Sequence, residues 1–255
     1  MTRTAFIPLT FALAAVLLAA GCGGAEAGRS ADGPSADADR ARAAERMIQA
    51  SRSRLAPVYA PLAEHLVAHL DLADAEGVGI DVGGGPGTLV VELATRTRMH
   101  WVNADINPHF FAPLYRRAEA AGVAHRVSAV RADARRLPFR SDWARAVVSR
   151  GSFHFWGGRD DRKRGLAEIY RVLAPGGVAY IGRGFSPNLP VETARRIRAG
   201  QGKTMQYDRR ELGRQLAGIM KELGIADYTV HLPDPPGAKG FHYGVWIEFR
   251  KPEAE

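Results

Sequence analysis

Among its 255 residues the chain has one cysteine, Cys22. A lone thiol excludes an intrachain disulfide framework and a cysteine-built zinc site. Lysine is also scarce: 5 of the 35 basic residues, leaving 30 arginines. Against 27 acidic residues the excess is +8. That balance permits anionic partners without demanding one. A nucleic-acid patch usually draws on both cations, and here the cations are scattered, so no specific nucleic-acid partner is expected. No internal repeat is visible. The segment 23–46 contains no Val, Ile, Leu, Met, Phe, Trp or Tyr, so it has nothing to bury in a core and reads as a flexible tether. With 46% hydrophobic and 24% charged residues, the chain is neither disordered, collagenous nor a polytopic membrane protein.

An apolar stretch does occupy 6–20, after Arg3. It is shorter than the roughly 20 residues a membrane-spanning helix needs and has the length of a signal-peptide core. Ala19, Ala20, Gly21 and Cys22 follow. Small residues before a cysteine resemble a bacterial lipobox, although Leu18 lies one step earlier than usual. The expectation is a signal over 1–22, lipidation at Cys22, a tether over 23–46 and one domain over 47–255. The protein would then be anchored to a membrane in the cell envelope. A true start at Met47 would instead make it cytoplasmic.

Beyond Pro57 the pattern is regular. Leu62, Leu66, Val67 and Leu70 recur at helical spacing. Short apolar runs at 78–82, 101–105, 126–130, 145–149 and 178–181 read as strands. Helical segments at 88–95, 108–121 and 160–173 separate them. A late helix over 208–223 precedes two closing strands at 228–231 and 243–249. The alternation predicts an α/β fold: a Rossmann-like, doubly wound, mostly parallel seven-stranded sheet with helices on both faces. Ligands of such sheets bind beyond the carboxyl ends of the strands.

The loop after the first strand reads Asp81, Val82, Gly83, Gly84, Gly85, Pro86, Gly87. Its glycines allow a sharp turn and close approach to a ligand. The dinucleotide fingerprint would need a glycine where Thr88 stands. Asp81, two residues before the first glycine, would repel a pyrophosphate and attract a cation. This Asp-x-Gly-x-Gly-x-Gly loop resembles the first motif of class I S-adenosylmethionine (SAM) methyltransferases, including the quinone-biosynthesis C-methyltransferases. Three further stretches agree in order and spacing: Asp105 with Ile106, Asp133 with Ala134 followed by Leu137, Pro138 and Phe139, and the segment 168–177. The resemblance implies SAM as co-substrate, no metal, and a small-molecule methyl acceptor. It implies that Asp81, Gly83, Gly85 and Gly87 cradle the cofactor, that Asp105 grips the ribose hydroxyls, and that Asp133 reads the adenine amino group. Ile106, Ala134 and Ser149 would line the same site.

The stretch after the fourth strand would border the methyl group. It is Ser149, Arg150, Gly151, Ser152, Phe153, His154, Phe155, Trp156. It lacks the Asn/Asp-Pro-Pro-Tyr/Phe pattern of enzymes that methylate exocyclic amines. His154 is its titratable group and has three readings: a general base, a donor orienting the acceptor, or a packed neighbour. Arg150 and Arg183 follow strands four and five, and together would orient an anionic acceptor. His65 and His69 stand at i,i+4, with no third metal ligand visible. The leading expectation is therefore a SAM-dependent methyltransferase of a small molecule. The alternatives are an envelope lipoprotein that binds a ligand without catalysis, and an RNA methyltransferase.

Overall fold

The computed structural model describes residues 34–200, 208–232 and 244–254. Cys22 and the expected signal lie outside them. Seven strands form one sheet: β1 (Val78–Val82), β2 (His100–Asp105), β3 (Val127–Arg131), β4 (Ala144–Arg150), β5 (Leu173–Arg183), β6 (Tyr228–His231) and β7 (Val245–Arg250). The helices are α1 (Pro34–Arg52), α2 (Ala56–His69), α3 (Thr88–Ala94), α4 (Phe111–Ala120), α5 (Arg159–Val172), α6 (Val191–Ala199) and α7 (Arg209–Glu222). Spatial order is β3-β2-β1-β4-β5-β7-β6. β7 runs antiparallel to both its neighbours, and the pairings from β3 through β5 are parallel. The expected mostly parallel, doubly wound sheet is observed.

Order reverses between β1 and β4, which opens a crevice beyond their carboxyl ends. Buried residues of α2, α3 and α4 cover one face around Trp101, Tyr180 and Trp246. Residues of α5 and α7 cover the other around Ile80, Val147 and Phe249. The central strands are buried on both faces, which explains their continuous apolar runs. Helix α7 starts where Asp208 Oδ1 accepts from the backbone N–H groups of Arg210 and Glu211, at 2.9 and 3.0 Å, an N-cap legible in the sequence. Among the described residues no helix is long and apolar enough to cross a membrane.

Two expectations need correction. Residues 34–46, read as tether, form most of α1. The segment is rich in alanine, the strongest helix former, and Arg40–Asp37 and Arg42–Asp39 pairs brace it one turn apart. Docking uses small and polar groups: Ala44 is 1% exposed, and Asn107 Nδ2 donates to the Arg40 carbonyl at 2.9 Å. An apolar-residue count misses such a contact. The second is α6, which lies where no element was expected. It buries only Ala194 and Ile197, too few to set a periodic pattern.

Candidate active site

The glycine loop is sutured to the end of β2. Gly83 N–H donates to the Ala104 carbonyl at 2.6 Å. Gly85 N–H donates to Asp105 Oδ2 at 2.9 Å, and Asn103 Nδ2 donates to the Gly85 carbonyl at 3.0 Å. Gly83 and Gly87 each have φ of +70°, where a side chain is strained. A Cβ on Gly83 would stand 2.2 Å from Ser152 Cβ, and one on Gly87 would stand 2.0 Å from Leu114 Cδ1. The first glycine thus admits the β4 loop, and the third admits α4.

A cleft of about 670 Å³ opens above this loop, within the range of small-molecule sites. Asp81, Gly83, Gly85, Asp105, Ile106, Asp133, Ala134, Arg150 and Arg183 all line it, as expected. Asp81 is fully buried. Burial, then the neighbouring Asp105 carboxylate, push its pKa up to about 8, against the pull of Arg150. Its Oδ1 has no hydrogen-bond partner among the described residues. An orphaned buried carboxylate oxygen is costly unless something cationic or hydrogen-bonding completes it. Burial also raises Asp105, although the Asn107 and Gly85 N–H groups pull it down. Those two donors take one lone pair on each oxygen, leaving each a second for a ligand hydroxyl. Ile106, 56% exposed, offers an apolar flank beside it.

Asp133 differs from expectation in its partners. Arg135 grips both carboxylate oxygens, Nε to Oδ1 at 3.0 Å and Nη2 to Oδ2 at 2.6 Å. That hydrogen bonding holds Asp133 below the usual carboxylate range despite partial burial. Arg135 also lines the cleft, so a ligand meets an ion pair there and not a bare acid.

Three residues are placed elsewhere. Gly87 serves the packing of α4 and is not among the residues lining the cleft. Ser149 is buried behind the loop, where its Oγ meets Ser152 Oγ at 2.6 Å. Ser152 Oγ donates to the Val82 carbonyl at 2.8 Å and accepts from Trp156 Nε1 at 3.2 Å. Ser152 has one proton to give, so Ser149 must be the donor between them. This chain fastens the β4 loop onto the end of β1. His154 is the third. Its ring lies 4.1 Å from that of Phe153, while the next two residues, Phe155 and Trp156, line the cleft. Burial, followed by the charges of Arg183 and Arg162, lowers His154 to about 4. A base that weak is poorly matched to proton abstraction near neutrality. Of its three readings, the packed neighbour fits the geometry.

Sequence reasoning missed the roof. Ala43 and Met47 of α1, Arg54 of the α1–α2 turn, and Tyr59 of α2 close over the cleft. The Arg150 guanidinium carbon lies 5.5 Å from the centre of the Tyr59 ring, a cation–π distance. Arg150 Nε is buried with no hydrogen-bond partner among the described residues. The cleft therefore presents an orphaned acceptor on Asp81 and an orphaned donor on Arg150.

Residues 80–177 match the family of methyltransferase domains. The Arabidopsis thaliana 2-methyl-6-phytyl-1,4-hydroquinone methyltransferase is 34% identical over 112 residues, covering 44% of this chain and 31% of that protein. The demethylmenaquinone methyltransferase of Thermus thermophilus is 37% identical over 99 residues, covering 38% of this chain and 43% of the relative. The match thus spans less than half the length of these curated relatives. Among solved structures, a candidate SAM-dependent methyltransferase of Methanococcus maripaludis superposes with a TM-score of 0.69 at 28% identity, covering 84% of this chain and 94% of that one. The sheet order, the sutured glycine loop and the buried Asp81 agree with these likenesses: residues 80–177 match a methyltransferase domain, and the fold is that of the class I, SAM-dependent methyltransferases.

Proposed function

We propose that the protein transfers the SAM methyl group to a small-molecule acceptor bearing an anionic group. The observation that carries this reading is the pair of orphaned buried polar atoms in one cleft, Arg150 Nε and Asp81 Oδ1, whose carboxyl a bound cation would ionise. Asp81 suits the cationic cofactor, Asp105 has lone pairs for its hydroxyls, and Ile106 and Ala134 flank its base. When bound, SAM supplies a methyl on an activated sulfonium leaving group, so the protein's task is mainly alignment. Arg150 and Arg183 are the last residues of neighbouring strands, paired through Arg150↔Gly182, and orient the acceptor. Phe155, 78% exposed, and Trp156 give the mouth an apolar rim. An ionised hydroxy-aromatic ring combines both features, anion and apolar plane. The relatives' names, a hydroquinone and a menaquinone precursor, favour testing that class first.

The test incubates the protein with methyl-labelled SAM and panels of phenols, aromatic acids and phosphate esters. Label in a phenol or other anion supports the reading. SAM binding without transfer to any panel would support the ligand-binding alternative. Transfer to bulk RNA, with affinity falling steeply with salt, would support the RNA reading. His154→Gln is expected to leave turnover and its pH profile unchanged once an acceptor is in hand. A loss of turnover together with loss of the limb that falls towards acid would restore His154 as base.

We propose in addition that Cys22 is lipidated and anchors the protein in the cell envelope. A chain starting at Met47 would lose the part of α1 that supplies Ala43 to the cleft and the Arg40 carbonyl to Asn107. Cys22→Ala is expected to leave the protein unanchored or unprocessed in membrane fractions. A native N-terminal peptide beginning at Met47 would contradict this.

A further inference from the structure

Behind the cleft roof, α2 rests on the antiparallel edge of the sheet through a cluster of polar rings. Glu248 of β7 accepts on one oxygen, Oε2, from two imidazoles: His69 Nε2 at 2.7 Å and His231 Nε2 at 3.1 Å. Three potential ligand atoms, one from each residue, lie within 4.8 Å of one another. None of the three residues lines the cleft. The sheet fixes two of them, since His231 pairs with Trp246 and Glu248 with Tyr180, placing their side chains on the face that α2 covers. His65, one turn before His69, stacks on the His69 ring at 5.1 Å and fixes its plane. The sequence showed His65 and His69 as a pair without a third ligand. The missing ligands come from β6 and β7, far along the chain.

We propose that His69, His231 and Glu248 form a binding site for a divalent transition metal, with Zn²⁺ the best fit. Two imidazoles and one carboxylate are a donor set that zinc accepts with solvent in the fourth position. His69 is 36% exposed, so solvent can reach that position. Tetrahedral zinc with bonds of about 2.0–2.1 Å needs ligand atoms roughly 3.3 Å apart. The two nitrogen–oxygen separations, 2.7 and 3.1 Å, would open by about 0.6 and 0.2 Å to reach it. The metal takes the Nε2 lone pair of each neutral imidazole, whose single proton then sits on Nδ1 in place of Nε2. Arg250 Nη2, 3.4 Å from Glu248 Oε1, occupies the other oxygen and leaves Oε2 for the metal. Burial, then the charges of His69 and His231, lower His65 to about 4, so it adds no positive charge near neutrality. Bound metal would staple α2, which carries Tyr59 into the cleft, to the β7–β6 edge.

The test uses the full chain without a histidine tag, stripped of metal by chelation. Calorimetry with Zn²⁺ and visible spectroscopy with Co²⁺ read the site directly, without reference to activity. One tight equivalent is expected, with the intense Co²⁺ bands of a tetrahedral site and a melting temperature raised by Zn²⁺ but not by Mg²⁺. His69→Gln, at a partly exposed position, and Glu248→Gln should each weaken Zn²⁺ at least ~10-fold while SAM affinity stays unchanged. Absence of saturable Zn²⁺ and Co²⁺ binding at micromolar metal, or equal binding by both variants and the parent, would overturn the site and leave a hydrogen-bonded cluster.

Discussion

Asp81→Asn is expected to weaken SAM binding by about 1.5–3 kcal/mol, the worth of a hydrogen bond to a charged group, which is roughly a tenfold to a hundredfold loss. The fold should survive, because the substitution replaces a buried acid that is costly when ionised. The pH dependence is a sharper signature. Asp81 titrates at about 8 in the folded chain against an ordinary value of 3.8. The folded state therefore holds a proton that the unfolded chain releases. Its contribution to stability is complete below about pH 4 and is lost as pH rises through about 8. Asp81→Asn should flatten that part of the stability curve. A cation beside Asp81 favours the carboxylate, so SAM binding should release a proton and tighten by up to about tenfold per pH unit towards pH 8. Calorimetry in two buffers of different ionisation enthalpy counts that proton in the parent and should count none in the variant. An Asp81→Asn protein that binds SAM as tightly as the parent would remove the carboxylate from the site.

Arg150→Ala and Arg183→Ala should each lower kcat/KM for the acceptor by about 1.5–3 kcal/mol. Their effects on the cofactor should differ. Arg183→Ala is expected to leave SAM affinity unaltered. Arg150 is the cation that pulls Asp81 down, so Arg150→Ala should also weaken SAM near neutrality and move its pH dependence higher. Steady-state kinetics with varied acceptor, beside SAM titrations at two pH values, separates the two arginines. Normal acceptor kinetics in both variants would place the acceptor elsewhere in the cleft.

Residues that local chain geometry brings to the cleft were legible in the sequence. Asp81 lies in the strand that runs into the glycine loop and Asp105 ends the neighbouring strand, and both line the cleft. The strand pattern was equally readable, because buried parallel strands are written as continuous apolar runs. Features made by distant packing were not. The α1 roof docks through Ala44 and a backbone carbonyl, which carry no apolar signal. Gly87 looked like a cofactor residue but is demanded by Leu114, a contact between α3 and α4 that spacing does not encode. His154 looked reactive because it is titratable and follows β4, yet the turn of Phe153–Phe155 points its neighbours to the cleft instead. Asp133 lines the cleft, but its ion pair with Arg135 was not foreseen, although the two are only two residues apart.

The central claim is that the cleft above the glycine loop takes SAM against a buried carboxylate. Calorimetric titration of the purified chain with SAM, beside a thermal-shift series, tests it most directly. The account predicts one binding site per chain, a raised melting temperature, and a proton released near neutral pH that disappears in Asp81→Asn. No heat and no thermal shift at millimolar SAM would contradict it.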